Sequence, residues 1–509
     1  MSKTKALVAV ITAATIALSG VAGAQAASSK PLTLTLGTAG AAPASFATVA
    51  SIYSNNTDYY QAVYDTVLRM DPSGKIIPGL ATAWKFNADQ TVLNLTIRKG
   101  VKFTDGTPLN AAAIVANLQR FKASSNAAAG FFRNVDNFAA PNATTVVITL
   151  TDNDPAILNY LAWNSGLIES PAAFGTATEA TQPVGSGPYT LDLTKTTTGS
   201  IYTFVANPNY WDKANRPFSS VILKPFTDPV ALVNALQAKQ IQGAKLINND
   251  GVAQVKAAGL QIEWNELDWS GLVISDRAGK LGSPLADVRV RQAINFAFDR
   301  NAMNQAVNGG YGTPTTQIFN PKSSGFDKSL NDVYPYNPTK AKQLLADAGY
   351  PNGFTLEIPS IAAYYGPTVY NAISDQLKAV GITVVLKEQP LSAYGAARAK
   401  YPAVFVNAEM SLNNWQLINF AIDSKSPFNF ENYSTNASDK LIGRVQGSDT
   451  PAAMAINAKL LNKFVVNNAW FVPWYSKQIP FPHSSDIVVK VQAGNATPFL
   501  YSITPAKKK

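Results

Sequence analysis

Cysteine is absent from the 509 residues, and histidine occurs once, at His483. No disulfide framework, thiolate metal site or cysteine-linked lipid anchor can therefore form. No second histidine exists to share a transition metal. His483 lies between Pro482 and Ser484 in a turn-like stretch and reads as structural, because no G-x-S-x-G elbow accompanies it. There is no D-x-[DN]-x-[DN]-G calcium loop, and no two of the scattered acids stand out as a catalytic pair. Charged residues make up only 15% of the chain, with 42 Lys and Arg against 32 Asp and Glu. Apart from Lys507 to Lys509 the bases are spread out, without the concentrated basic face that a nucleic-acid reader needs. Beyond the amino terminus no run approaches ~18 uninterrupted apolar residues, the length of a membrane span. These absences argue against an enzyme and predict no metal, no cofactor and no nucleic-acid partner.

The amino terminus is distinctive. Lys3 and Lys5 precede the apolar run Ala6 to Leu18, then the small-residue segment Ser19 to Ala26, ending Ala24-Gln25-Ala26. This is the pattern of a secretory signal peptide. Cleavage after Ala26 removes two lysines and no acid, taking the charge from +10 to +8. The expected destination is the periplasm or cell-envelope exterior. The remaining chain, in a protein that is 46% hydrophobic, is long enough for two or three cored domains.

Leu32 to Leu36 reads as a strand, Gly37 to Val49 as a loop and Asp58 to Arg69 as a helix. Asp71-Pro72-Ser73-Gly74 and Thr104-Asp105-Gly106-Thr107 are turn chemistry. Thr91 to Ile97 and Thr145 to Leu150 alternate as half-buried strands, and Asn110 to Arg120 and Pro155 to Leu161 are helical. Gly185-Ser186-Gly187-Pro188 lacks a strand-turn-helix fingerprint and reads as a turn rather than a phosphate cradle. Ile201 to Val205 is a strand and Pro229 to Ala238 a helix. Later, Asn337 caps a helix opened by Pro338 and ended by Gly349. A βαβ unit follows: strand Phe354 to Ile358, helix Pro367 to Val380, strand Ile382 to Leu386. After the helical Tyr394 to Lys400, Ala403 to Val406 offers a further parallel strand. Ile487 to Val491 and Leu500 to Ile503 are strands that would carry the chain back into the first sheet, making two crossings and a hinge.

Pro284 to Met303 marks the entry to a second lobe. Val290, Ala293, Ile294, Ala297 and Phe298 share one helical face, which predicts a single amphipathic helix with Asp287 as N-cap. Arg291 is placed to pair with Asp287 at i, i+4. The aromatics Trp264, Trp269, Tyr364, Tyr365 and Trp415 stand beside polar residues in segments that read as loops or strand ends, as a small-ligand cleft would require.

Several segments carry a resemblance. LRMDPSGKIIPGLATAW and LTIRKGVKFTDGTPLNAAAIV, within Asp65 to Arg120, resemble the extracellular solute-binding protein family 5, the peptide, nickel and opine binders of ABC importers. So do GSGPYTL from Gly185, ANPNYWDKA from Ala206 and DVRVRQAINFAFDR from Asp287. YNPTKAKQLLADAGYPNGFTLEI from Tyr336 and QLKAVGITVVL from Gln376 complete the set in family order. The resemblance implies an α/β, bilobal periplasmic-binding-protein-like fold of class II, cluster C type, with an extra α+β subdomain inserted in the first lobe. The implied domains are a signal peptide at 1–26, lobe I from 27–68, 186–281 and 485–509, the inserted subdomain at 69–185, and lobe II at 282–484. It further implies a monomer that captures a small-molecule or peptide ligand, foremost an oligopeptide, and presents it to the permease subunits of an ABC transporter. An opine, sugar or other small polar solute is the alternative ligand, and a secreted hydrolase the alternative of another class. The implied ligand-binding residues are Tyr53, Asp268, Trp269, Tyr364, Glu409 and Trp415, an acidic and aromatic wall suited to a ligand's positive end. The chain departs from the peptide binders after Ala403 to Val406, where NAEMSLNNWQLINFA lacks their Trp-Gly-x-Asp segment. Asn110-Ala111-Ala112-Ala113 replaces their acidic pair, and AKQIQG from Ala238 their Gly-Glu-x-Asp.

Overall fold

The computed structural model describes residues 32–51, 56–409 and 411–507, without the side chains of Ala127, Ala363, Tyr364, Leu391, Ser392 and Glu409. The expected signal peptide and Tyr53 lie outside the described residues. In chain order, the strands of the main sheet are β1 (Thr33–Ala39), β2 (Tyr189–Leu191), β3 (Tyr202–Ala206), β4 (Ser220–Phe226), β5 (Gly243–Ala244), β6 (Gln261–Ile274), β7 (Gly312–Pro314), β8 (Ala403–Glu409) and β9 (Phe471–His483). Among the described residues they pair in the order β2-β3-β4-β1-β5-β9-β6-β8, with β7 alongside β9. β1 is parallel to β4 and β5, whereas β6 is antiparallel to both β8 and β9.

The long strands β6 and β9 organise the molecule. At one end Gln261 pairs with His483, which also pairs with Gly243 of β5. At the other, Val273 pairs with Phe471. Leu272, Ile274, Val472 and Trp474 there enter a core shared with Val290, Ile294, Phe298, Ile358, Ile373 and Phe405. Phe481 instead enters the core of Leu34, Leu36, Tyr59, Phe204 and Val221. The pair therefore runs from one lobe's core into the other's. Its register shifts between Glu266 and Asp268 and between Ser270 and Gly271, so the ladder is irregular midway between the lobes. Such irregularities bend a strand and re-aim its side chains.

A separate four-stranded antiparallel sheet joins Ala81–Phe86, Val92–Ile97, Thr145–Leu150 and Val135–Asn142. The helix Ala111–Lys122 packs on it, capped by Asn110 Oδ1, which accepts from Ala113 N at 3.1 Å. Asp71 and Asp105 close their turns by accepting from Ser73 and Thr107. Gly185 and Gly187 pack onto the backbone of Val63, where a Cβ on Gly185 would sit 1.9 Å from the Val63 carbonyl oxygen. These small residues serve close packing.

The segment from Pro284 departs from the single expected helix. A short 3-10 turn, Pro284–Ala286, leads into α1 (Val288–Ala297), and α2 (Arg300–Asn308) follows after a break. Asp287 caps α1 by accepting from Arg289 N at 2.8 Å. Phe298 is extended, at φ −93° and ψ 119°. Asp299 then caps α2, accepting from Asn301 N and Ala302 N at 3.0 Å each. An aspartate side chain that satisfies orphan N–H groups starts a new helix more favourably than it continues an old one. Asp299→Ala is expected to cost about 1 kcal/mol in urea unfolding; no change would mean that packing alone holds the break.

The ion pair also differs. Arg289, not Arg291, holds Asp287, at 2.6 Å. Arg291 lies on the buried side and donates to the carbonyls of Leu285, Ala286 and Asn468. Three further expectations are corrected. The helix from Asp58 is Thr57–Val63, and the chain continues as the short strands Asp65–Thr66 and Leu68–Met70. β8 is antiparallel to β6 rather than an extension of the parallel pair Phe354–Ser360 and Ile382–Glu388. Ile487–Val489 and Ile503–Pro505 pair with each other, so the return crossing is β9 itself. No helix among the described residues is long and apolar enough to cross a membrane.

Candidate functional site

A cavity of about 700 Å³ lies where β6 and β9 change register, within the size range of small-ligand sites. Asp268 of β6 and Lys477 of β9 line it and stand directly opposite each other in the ladder. Asp268 also faces Glu409, the last residue of β8, in backbone register. Burial raises the Asp268 pKa, while Lys477 and Lys245 pull it down. Burial lowers the Lys245 pKa, Asp268 opposes that change, and Lys477 reinforces it. Behind Lys245, burial pushes the carboxyl of Asp58 up to about 7 against a hydrogen bond from Thr497 and the attraction of Lys245.

Three other regions complete the wall. Phe131 and Arg133 come from the segment leading into Val135–Asn142. Arg133 pairs with Asp423 at 3.4 Å and donates to Asn419 Oδ1, while Phe131 stacks on Tyr160 at 4.7 Å. Arg398 follows the helix Leu391–Ala397, its guanidinium 5.0 Å from the ring centroids of both Phe428 and Phe430. Lys425 stands exposed on the loop beside Phe428. Asn407 and Gln416 supply amides. Asn407 Oδ1 accepts from Ser270 Oγ, and Gln416 Oε1 accepts from Ser411 Oγ at 2.9 Å. With the carbonyl ends engaged inside the protein, both amides keep N–H groups to offer a ligand.

Of the residues expected at the site, Asp268 lines the cavity. Trp269 does not. Adjacent strand residues point to opposite faces, and Trp269 turns into the core, 1% exposed, edge-on to Phe471 at 5.6 Å. Trp415 is likewise core, 2% exposed in the short helix Asn414–Leu417, and its neighbour Gln416 is the one that reaches the cavity. Tyr364 belongs to the helix Ala362–Tyr365, from which Tyr365 lines the cavity. The aromatic wall is therefore Phe131, Tyr365, Phe420 and Phe428. The expected acidic character is also corrected: Asp268 is the one carboxylate lining the cavity among the described residues, against five cationic side chains. His483 is buried, its Nδ1 2.9 Å from the Ser484 carbonyl oxygen.

The bacterial extracellular solute-binding proteins, family 5, match the chain over residues 75–438. The chain belongs to that family. Among curated family relatives, the glutathione-binding protein GsiB of Shigella dysenteriae serotype 1 is 31% identical over 313 residues, which is 60% of this chain and 60% of that protein. Two solved structures share the fold. The periplasmic binding protein DppA from Helicobacter pylori, in complex with the peptide STSA, has a TM-score of 0.80 at 20% identity, covering 94% of this chain and 99% of that one. AgaA from A.tumefacien, in complex with agropinic acid, has a TM-score of 0.79 at 22% identity, with the same coverages. The fold of this family member is thus the bilobal α/β fold of periplasmic binding proteins.

Proposed function

We propose that the protein is an extracytoplasmic solute receptor that captures a small polar ligand between its lobes and delivers it to the permease of an ABC importer. The observation that carries this reading is the cavity's position across the irregular middle of β6 and β9, with walls from otherwise separate parts of the chain. Bending at the register shifts would close one wall on the other and complete hydrogen bonds that an open cleft leaves to water. A ligand shifts that balance only by binding the closed form better. The expected signal peptide and lack of cysteine suit a protein exported without a cysteine-linked lipid. An oligopeptide, the ligand favoured from sequence, fits this reading when its carboxylates as well as its amine are held.

Native mass spectrometry of protein purified from its own cell envelope tests the proposal. The expected result is a trapped small solute bound one to one. Re-adding that solute at 100 times Kd should raise the unfolding free energy by about 2.7 kcal/mol. Turnover of a peptide and ester panel without saturable binding would favour a secreted hydrolase instead.

A further inference from the structure

We infer that the cavity takes an anionic solute bearing two or more carboxylates, gripped from both sides; this rests on the receptor reading above. Some of its positive charge is already answered within the protein. Arg133 is paired with Asp423, and Lys245 feels both Asp268 and Asp58. Lys477 stands opposite Asp268 and shares that single carboxylate with Lys245. Arg398 and Lys425 are different, because neither makes an ion pair among the described residues. A surplus of cations in a half-enclosed space is costly without a counter-charge, and closure onto an anion removes that cost.

The geometry around Arg398 favours a carboxylate. Its guanidinium is held by the faces of Phe428 and Phe430, and its Nε donates to the Gly395 carbonyl oxygen at 3.4 Å. Aromatic faces orient a guanidinium and leave the N–H groups at its rim to donate. That planar fork matches the two oxygens of a carboxylate. Lys477 arises from a different element, β9, and provides a second anchor for another acidic group. Asn407 and Gln416, with their carbonyl oxygens occupied, add donors. The wall therefore presents mainly positive charge and N–H groups, complementary to a ligand made mostly of acceptors. Asp268 leaves room for one amine on that ligand.

The test uses the full exported chain and seven probes: glutathione, citrate, mannopinic acid and triglutamate as anions with two or more carboxylates, trialanine amide and trilysine as cations, and trehalose as a neutral solute. Calorimetric titration is expected to find the tightest binding among the anions, with affinity falling as salt rises. Arg398→Gln should weaken that probe about tenfold or more, Arg398→Lys less, and neither should alter the circular dichroism of the unliganded protein. Tightest binding of a cationic or neutral probe would overturn the inference while leaving the receptor reading intact. So would an anion whose affinity ignores both salt and Arg398→Gln. Silence from all seven probes, together with no trapped solute in native mass spectrometry, would remove the receptor reading and this inference with it.

Discussion

Replacing Phe298 with alanine is expected to lower the unfolding free energy by about 3 to 5 kcal/mol, the range for deleting a buried phenylalanine and leaving a cavity. Its side chain is fully enclosed, and its ring lies 5.1 Å from that of Trp474 on β9. Trp474 in turn stacks on Phe405 of β8 at 5.6 Å. The ring thus anchors the junction of α1 and α2 to the strand that also carries Lys477. Urea unfolding measures the effect as a shift of midpoint at constant slope. A loss below about 1 kcal/mol would mean that the neighbours collapse into the space. Unchanged stability with weakened ligand binding would move this segment from scaffold to site.

Arg300→Ala should cost about 3 kcal/mol or more, by a different route. The guanidinium is buried, with no carboxylate partner among the described residues. Nε donates to the carbonyls of Thr315 and Pro473 at 3.0 and 2.9 Å. Nη1 reaches the carbonyls of Asn295 and Tyr334, at 3.3 and 2.7 Å, and Nη2 reaches Asn295 Oδ1 at 3.0 Å. Burial lowers its pKa to about 10, so it remains charged at neutral pH. Alanine would leave these acceptors buried and unpaired, each unsatisfied group costing ~1 to 3 kcal/mol. Arg300→Lys should lose less, since an ammonium can still serve two or three of them. Equal losses in the two variants would show that the fork geometry matters more than the number of acceptors served.

Much of the fold was legible because its signals are local. Asn110, Asp228 and Asn337 each cap the helix expected after them, and Thr145–Leu150 alternates as its sequence does. The break at Phe298–Asp299 is hard to read because the apolar stripe ends only at Phe298 itself, and the competing cap is one side chain. β6 was harder still. Asn265, Glu266 and Asp268 interrupt its apolar pattern, so it reads as a loop or strand end bounded by tryptophans. Asn265 is tolerated within the strand because its amide donates to the carbonyls of Gln492 and Asn495, residues far along the chain. No window of sequence contains that compensation.

By itself the sequence determined where most helices and strands lie, that no cysteine chemistry is available, and which family the chain resembles. The tertiary structure alone decided the character of the cavity. Arg133, Arg398, Lys425 and Lys477 look like scattered surface bases in the sequence, and Trp269 and Trp415 look like binding residues. Folding gathers the bases around one space and turns the tryptophans into the core. Periodicity reports which face of an element is apolar over a few neighbouring residues. The charge of a cleft is a sum over residues that only long-range strand pairing brings together.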